Sequence, residues 1–210
     1  MSISLESASD ATPPFRRADA KRNRKLILDA AKTAFARDGV DASLDEIARS
    51  AGVGPATLYR HFPTREHLLC EVLHERQADL LSRRDEALAR PDAGEGLRLW
   101  MAALTDYLGA FNGLPRPFVE AFEAQASPLA VNCRSLVSIT EEFLVRARSQ
   151  SATRPFVSAP ALFLSALGAA FVHDKARDYC VSPQLVEDIQ AHGYLSDAQV
   201  ASAPNPKEPK

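Results

Sequence analysis

The chain lacks the means for a disulfide framework, for a membrane span and for a sheet. Its cysteines are Cys70, Cys133 and Cys180, far apart and odd in number, which fits reduced thiols in a cytoplasmic chain rather than paired bridges. No apolar run reaches the roughly 18 residues that a membrane-spanning helix needs, and no basic stretch followed by an apolar one marks a secretory leader. Alternating polar and apolar segments of useful length are missing too, so the expected fold is all-α. Catalytic signatures are equally scarce. His173-Asp174 and scattered Ser/His pairs sit near no recognisable nucleophile, so no catalytic residue is assigned and an enzyme is not expected.

What the chain does have is a cluster of start and stop signals in residues 43–62, SLDEIARSAGVGPATLYRHF. Ser43 and Glu46 form an S-x-x-E capping box that starts a helix, and Leu44, Ile47 and Ala48 give that helix one apolar face. Gly52 falls where the chain must turn sharply. Pro55 restarts the helix, because a first-turn proline has its φ preset and needs no amide donor. Two short helices joined by a tight turn form a helix-turn-helix, whose second helix lies in the DNA major groove. Gly54, Pro55, Ala56 and Thr57 stand at the N-terminal end of that second helix, the part that meets base edges. Thr57 offers a hydroxyl and a methyl, and Ala56 an apolar contact.

The flanking sequence from Arg22 to Leu73 resembles the N-terminal domain of the TetR (tetracycline-repressor-like) family of transcriptional regulators. The residues that carry the resemblance are Ile27, Ala30, Ala31, Phe35, Gly39, Ile47, Ala48, Gly52, Val53, Leu58, Tyr59, Phe62 and Leu68. Beyond Leu73 the likeness is only architectural. The resemblance implies that Tyr59, His61 and Arg65 contact phosphates, with Arg60 adding charge, Thr64 beside them and Ser43 both capping and touching the backbone of the DNA. Phenol, imidazole and guanidinium all donate to phosphate oxygens. It also implies a homodimer on a pseudo-palindromic double-stranded operator, with half-sites roughly 34–36 Å apart or multiples of that, and a small-molecule effector of unknown identity.

Charge is distributed to match. From Arg16 to Cys70 there are 11 basic against 7 acidic residues, a net +4, whereas from Glu71 onward 14 stand against 18, a net −4. A positive N-terminal part suits a polyanion and the negative remainder suits something else.

Four segments are expected: a disordered, partly basic arm over 1–21, a helix-turn-helix domain over 22–80, a helical effector-binding and dimerisation domain over 81–200, and a disordered tail over 201–210. The whole should contain about nine helices. PDAGEG at 91–96 reads as a break, and Ser127-Pro128 and Ser182-Pro183 as capped helix starts. The end of the arm, RRADAKRNRK, is either a solvated tail or an arm that contacts the minor groove or phosphates.

Two surfaces in the C-terminal half invite a function. In PALFLSALGAAFVHDKA, Ala161, Ser165, Gly168 and Val172 share a small-residue face suited to a dimer seam. Leu162, Phe163, Leu167 and Phe171 make the rest apolar, as a central core helix also would be. Trp100, Tyr107, Phe111, Phe118, Phe122 and Phe143 concentrate aromatics where a ligand pocket or plain core would lie. His67, Cys70, Glu71 and His74 share a helix and are acceptable metal donors, but the first and last stand two turns, roughly 10 Å, apart, so neither a metal site nor a cofactor is assigned. The expected function is a homodimeric repressor released from its operator by a small molecule. The alternatives are an architectural DNA-binding protein without an effector and a metal-responsive repressor.

Overall fold

The computed structural model describes residues 14–124, 127–176 and 182–202, and every regular element among them is a helix. In chain order these are α1 (Pro14–Asp38), α2 (Leu44–Ser50), α3 (Pro55–His61), α4 (Arg65–Leu88), α5 (Ala93–Leu108), α6 (Pro115–Glu123), α7 (Pro128–Ser149), α8 (Ala159–Ala176), α9 (Pro183–Tyr194) and α10 (Asp197–Ser202). That is one more than expected. The addition is α10, whose last residues, Ala201 and Ser202, fall in the segment expected to be a disordered tail. Among the described residues, extended backbone pairs only in an antiparallel bridge between Thr153 and Leu195.

Two element boundaries differ from the sequence expectation, each for a local reason. Helix α1 starts at Pro14 rather than Arg22, so residues 14–21 are helical rather than a disordered arm. Proline is tolerated in the first turn, and Ala18, Ala20 and Lys21 are good helix formers with no breaker between them. Residues 1–13 and 203–210 lie outside the described residues.

The glycines of PDAGEG do not break the chain either. Asp92 caps α5, its carboxylate accepting from the amides of Gly94 at 2.8 Å and Glu95 at 3.1 Å. Gly94 and Gly96 lie inside the helix because neighbours crowd them. A Cβ on Gly96 would stand 2.7 Å from the Ala87 carbonyl oxygen, and one on Gly94 2.6 Å from the Gln199 side chain.

Side-chain caps also start α2, α4 and α7. The Ser43 hydroxyl accepts from Glu46 N at 3.4 Å, Thr64 from His67 N at 3.3 Å and Ser127 from Leu129 N at 3.1 Å. Ser182 occupies the N-cap position of α9 without such a bond.

A continuous apolar core runs from Ile27 and Phe35 of α1 through α4 into α5, α7 and α8. At its centre the Trp100 and Phe143 rings stack with centroids 5.3 Å apart and planes 5° from parallel. The Trp100 indole N–H donates to the Thr140 hydroxyl at 3.0 Å, which in turn donates to the Leu136 carbonyl at 2.8 Å. The one polar atom of a large buried ring is thereby satisfied, as burial requires. Helix α4 crosses residue 80, the expected domain boundary, without a break. Leu80 is buried, and Arg83 and Arg84 pair with Asp106 of α5 at 2.8 Å and Glu142 of α7 at 2.6 Å.

The loop after α1 rests on the turn before α6. Val40 N donates to the Asn112 carbonyl at 2.9 Å, the Phe35 and Phe111 rings meet at 5.9 Å, and Arg116 reaches Asp41 at 2.9 Å. Gly39 permits the approach. Its φ is +77°, and a Cβ there would lie 2.6 Å from Asn112 O.

Candidate nucleic-acid interface

Helix α2 is anchored by Ile47 and Ala48, both buried. Gly52, at φ +69°, turns the chain in a conformation that glycine adopts most readily. Gly54 then precedes Pro55 at the start of α3. Within α3 only Leu58 is fully buried, and Phe62, the residue after the helix, plugs the core beneath it. One turn inward is enough to hold so short a helix, which frees the remaining side chains to face outward.

Pro55, Ala56 and Arg60 are exposed, Tyr59 is 47% exposed and Thr57 and His61 are half-buried. This placement separates Tyr59 from the packing role, which falls to Leu58 and Phe62. The His61 imidazole has its pKa lowered by burial first and then by the positive charges of Arg24 and Arg60.

Arg65 does more locally than its sequence position suggests. Its Nη1 donates to the Val40 carbonyl at 2.7 Å and the Ala42 carbonyl at 2.5 Å, which fastens the loop leading into the Ser43 cap. Nothing in the spacing points to those acceptors, 25 and 23 residues upstream. Thr64 caps α4 and meets His67 Nδ1 at 2.8 Å.

Arg24, absent from the sequence-derived set, belongs to this neighbourhood. Its guanidinium lies 5.2 Å from the Phe62 ring centroid and pairs with Glu71 at 2.7 Å.

The donors on α4 that could have suggested a metal have other partners. His67 meets Thr64, Glu71 pairs with Arg24, and His74 Nδ1 meets Gln77 at 2.9 Å. Burial, with Glu66 and Glu71 nearby, pushes the Cys70 thiol up to about 12, and burial pushes Cys133 up to about 11, so both stay protonated thiols at neutral pH. Cys180 and the side chains of His173 and Asp174 lie outside the described residues.

The six aromatics do not form one pocket. Trp100, Phe118 and Phe143 are fully buried in close packing, and the Tyr107 hydroxyl accepts from Asn132 Nδ2 at 3.0 Å. Phe111 is spent on Phe35 of α1. An aromatic stripe at helical spacing fills a core as readily as it lines a cavity, and here most of it fills the core. Phe122 alone of the six lines the open cleft of about 530 Å³ between α6 and α7, together with Ala121, Ala124, Ala130, Cys133 and Arg134.

The small-residue face of α8 points outward. Ala161, Gly168 and Val172 are exposed and Ser165 is half-buried. Leu164 at 45% and Phe171 at 58% exposure extend this face, while Leu162, Phe163 and Leu167 pack inward. Phe171 is thus part of the outer stripe and not of the core. Leu185 and Ile189 of α9 are exposed at 52% and 65%, and Gln190 ties α9 to α8 through the Ser165 carbonyl at 3.0 Å. No helix among the described residues is long and apolar enough to cross a membrane.

The family model for bacterial regulatory proteins of the tetR family matches residues 27–72. The uncharacterized HTH-type transcriptional regulator TtgW of Pseudomonas putida is 42% identical over 94 residues, which are 44% of this chain and 66% of that relative. The HTH-type transcriptional regulator SrpR of Pseudomonas putida is 40% identical over 94 residues, 44% of this chain and 41% of that protein. These matches span roughly two fifths to two thirds of the relatives' own length. The crystal structure of the TetR transcriptional regulator SCO0520 from Streptomyces coelicolor superposes with a TM-score of 0.53 at 28% identity, covering 83% of this chain and 99% of that one.

Proposed function

Because this chain belongs through residues 27–72 to the tetR family of bacterial regulatory proteins, we propose that it is a DNA-binding transcriptional repressor, not an enzyme, that acts as a homodimer and leaves its operator when a small organic molecule binds the helical domain. The observation that carries the DNA-binding reading is the outward face of α3. Ala56 and Thr57 present to base edges, Tyr59, Arg60 and His61 to phosphates, with Thr64, Arg65 and Ser43 at the rim.

Dimerisation is supported by the stripe on α8 that Leu164, Gly168, Phe171 and Val172 leave uncovered. A second copy of the same stripe is its self-complementary partner across a two-fold axis. The effector reading is supported by the cleft beside Phe122, whose volume of about 530 Å³ falls within the usual range for small-molecule sites. A ligand there acts only as far as it binds one dimer conformation better than the other. The α4 helix joins the two regions without interruption, so its tilt sets the separation of the two α3 helices.

Genomic DNA fragments selected on the purified protein and sequenced test the reading. The expected result is a shared pseudo-palindrome whose half-sites repeat at about 10 base pairs or a multiple. Enrichment with no shared sequence would instead identify an architectural protein that coats DNA.

A further inference from the structure

We propose that the N-terminal half of α1 is a second DNA-contacting element, in which Lys21, Arg22 and Lys25 hold the phosphates that flank the groove entered by α3. The proposal rests on the DNA-binding reading above and adds residues outside the helix-turn-helix.

Between Pro14 and Leu28 the chain carries Arg16, Arg17, Lys21, Arg22, Arg24 and Lys25 against the single acid Asp19. Lys21, Arg22 and Lys25 project from a helix rather than from an irregular arm. Arg24 shows where: its guanidinium sits over the Phe62 ring at 5.2 Å, so this turn of α1 stands at the C-terminal end of α3. From Arg24 back to Pro14 the helix continues for about 15 Å at 1.5 Å per residue. Positive charge already converges here, since Arg24 and Arg60 both disfavour a proton on His61.

The same helix supplies its own contrast. In its C-terminal half the cations are neutralised, Lys32 by Asp29 and Glu75, and Arg37 by Asp38 at 2.5 Å. In its N-terminal half Lys21, Arg22 and Lys25 are exposed and have no hydrogen-bond or ion-pair partner among the described residues. A purely solvated helix face would have no reason to be graded in this way. Unpaired cations confined to the end beside α3 complement a phosphate strand.

The test measures binding to a random-sequence duplex across a salt series, comparing the wild-type chain with the K21Q/R22Q/K25Q triple variant. Glutamine keeps the helix propensity, and an unchanged melting temperature verifies the fold. Each phosphate contact contributes about 0.9 to the slope of log affinity against log salt, so the slope should fall by about 2 to 3. A fall of about 1 or more supports the proposal, and a smaller one overturns it. A wild-type chain that binds no duplex would sink the functional reading itself, which is a separate outcome.

Discussion

Helices α3 and α8 each leave one face uncovered, and the two faces differ in kind. On α3 the outward residues are small, aromatic-polar and basic: Pro55, Ala56, Thr57, Tyr59 and Arg60. On α8 they are Ala161, Leu164, Gly168, Phe171 and Val172, apolar throughout. A face that keeps its charge in water forfeits little by staying bare until a polyanion arrives. One that exposes Phe171 at 58% and Leu164 at 45% forfeits about 25 cal/mol for every Å² of apolar surface left wet, and a matching apolar face relieves that cost. Under the proposed function, α3 meets nucleic acid and α8 meets a second copy of the chain.

The strongest way to break the comparison is to make α8 resemble α3. Phe171→Asp places a carboxylate in the apolar seam, where an unpaired buried charge costs about 3 kcal/mol or more. The expected result is a monomer by light scattering and operator affinity lower by about 100-fold or more. A variant that remains dimeric would move the seam elsewhere.

A smaller effect separates the two roles of Arg65. Arg65→Ala removes bonds to the Val40 and Ala42 carbonyls, worth about 1–3 kcal/mol of stability, and should also flatten the salt slope by about 1. Loss of melting temperature with an unaltered slope would confine Arg65 to fastening the loop.

The smallest effect concerns His61. Its folded pKa lies below the ordinary 6.5 because of burial first, then Arg24 and Arg60. The unfolded chain therefore takes up the proton first, and the free protein loses stability as pH falls below about 6.5. A bound phosphate favours the imidazolium, so operator affinity should rise over the same range. In His61→Gln both trends should flatten, as titration of stability and affinity between about pH 7.5 and about 5.5 would reveal.

Much of the interface is legible in the sequence because its signals are local. The Ser43 cap, the Gly52 turn and the Pro55 restart act within a few residues of themselves, and the Ser127-Pro128 start of α7 falls where its chemistry requires. Long-range relations are not legible. Gly94 and Gly96 look like a break until Ala87 and Gln199 are seen to crowd them. Phe111 looks like a pocket residue until Phe35, far upstream, meets it. Arg65 looks free until its carbonyl partners fold beneath it.

By itself, then, the sequence determined the helical class, the helix-turn-helix and the basic character of the N-terminal part, since periodicity, caps and charge are properties of short windows. Only the tertiary structure decided which aromatics are core, which face of α8 stays bare and which cations of α1 lack a partner. Those depend on what packs against each side chain, and packing partners come from helices distant along the chain.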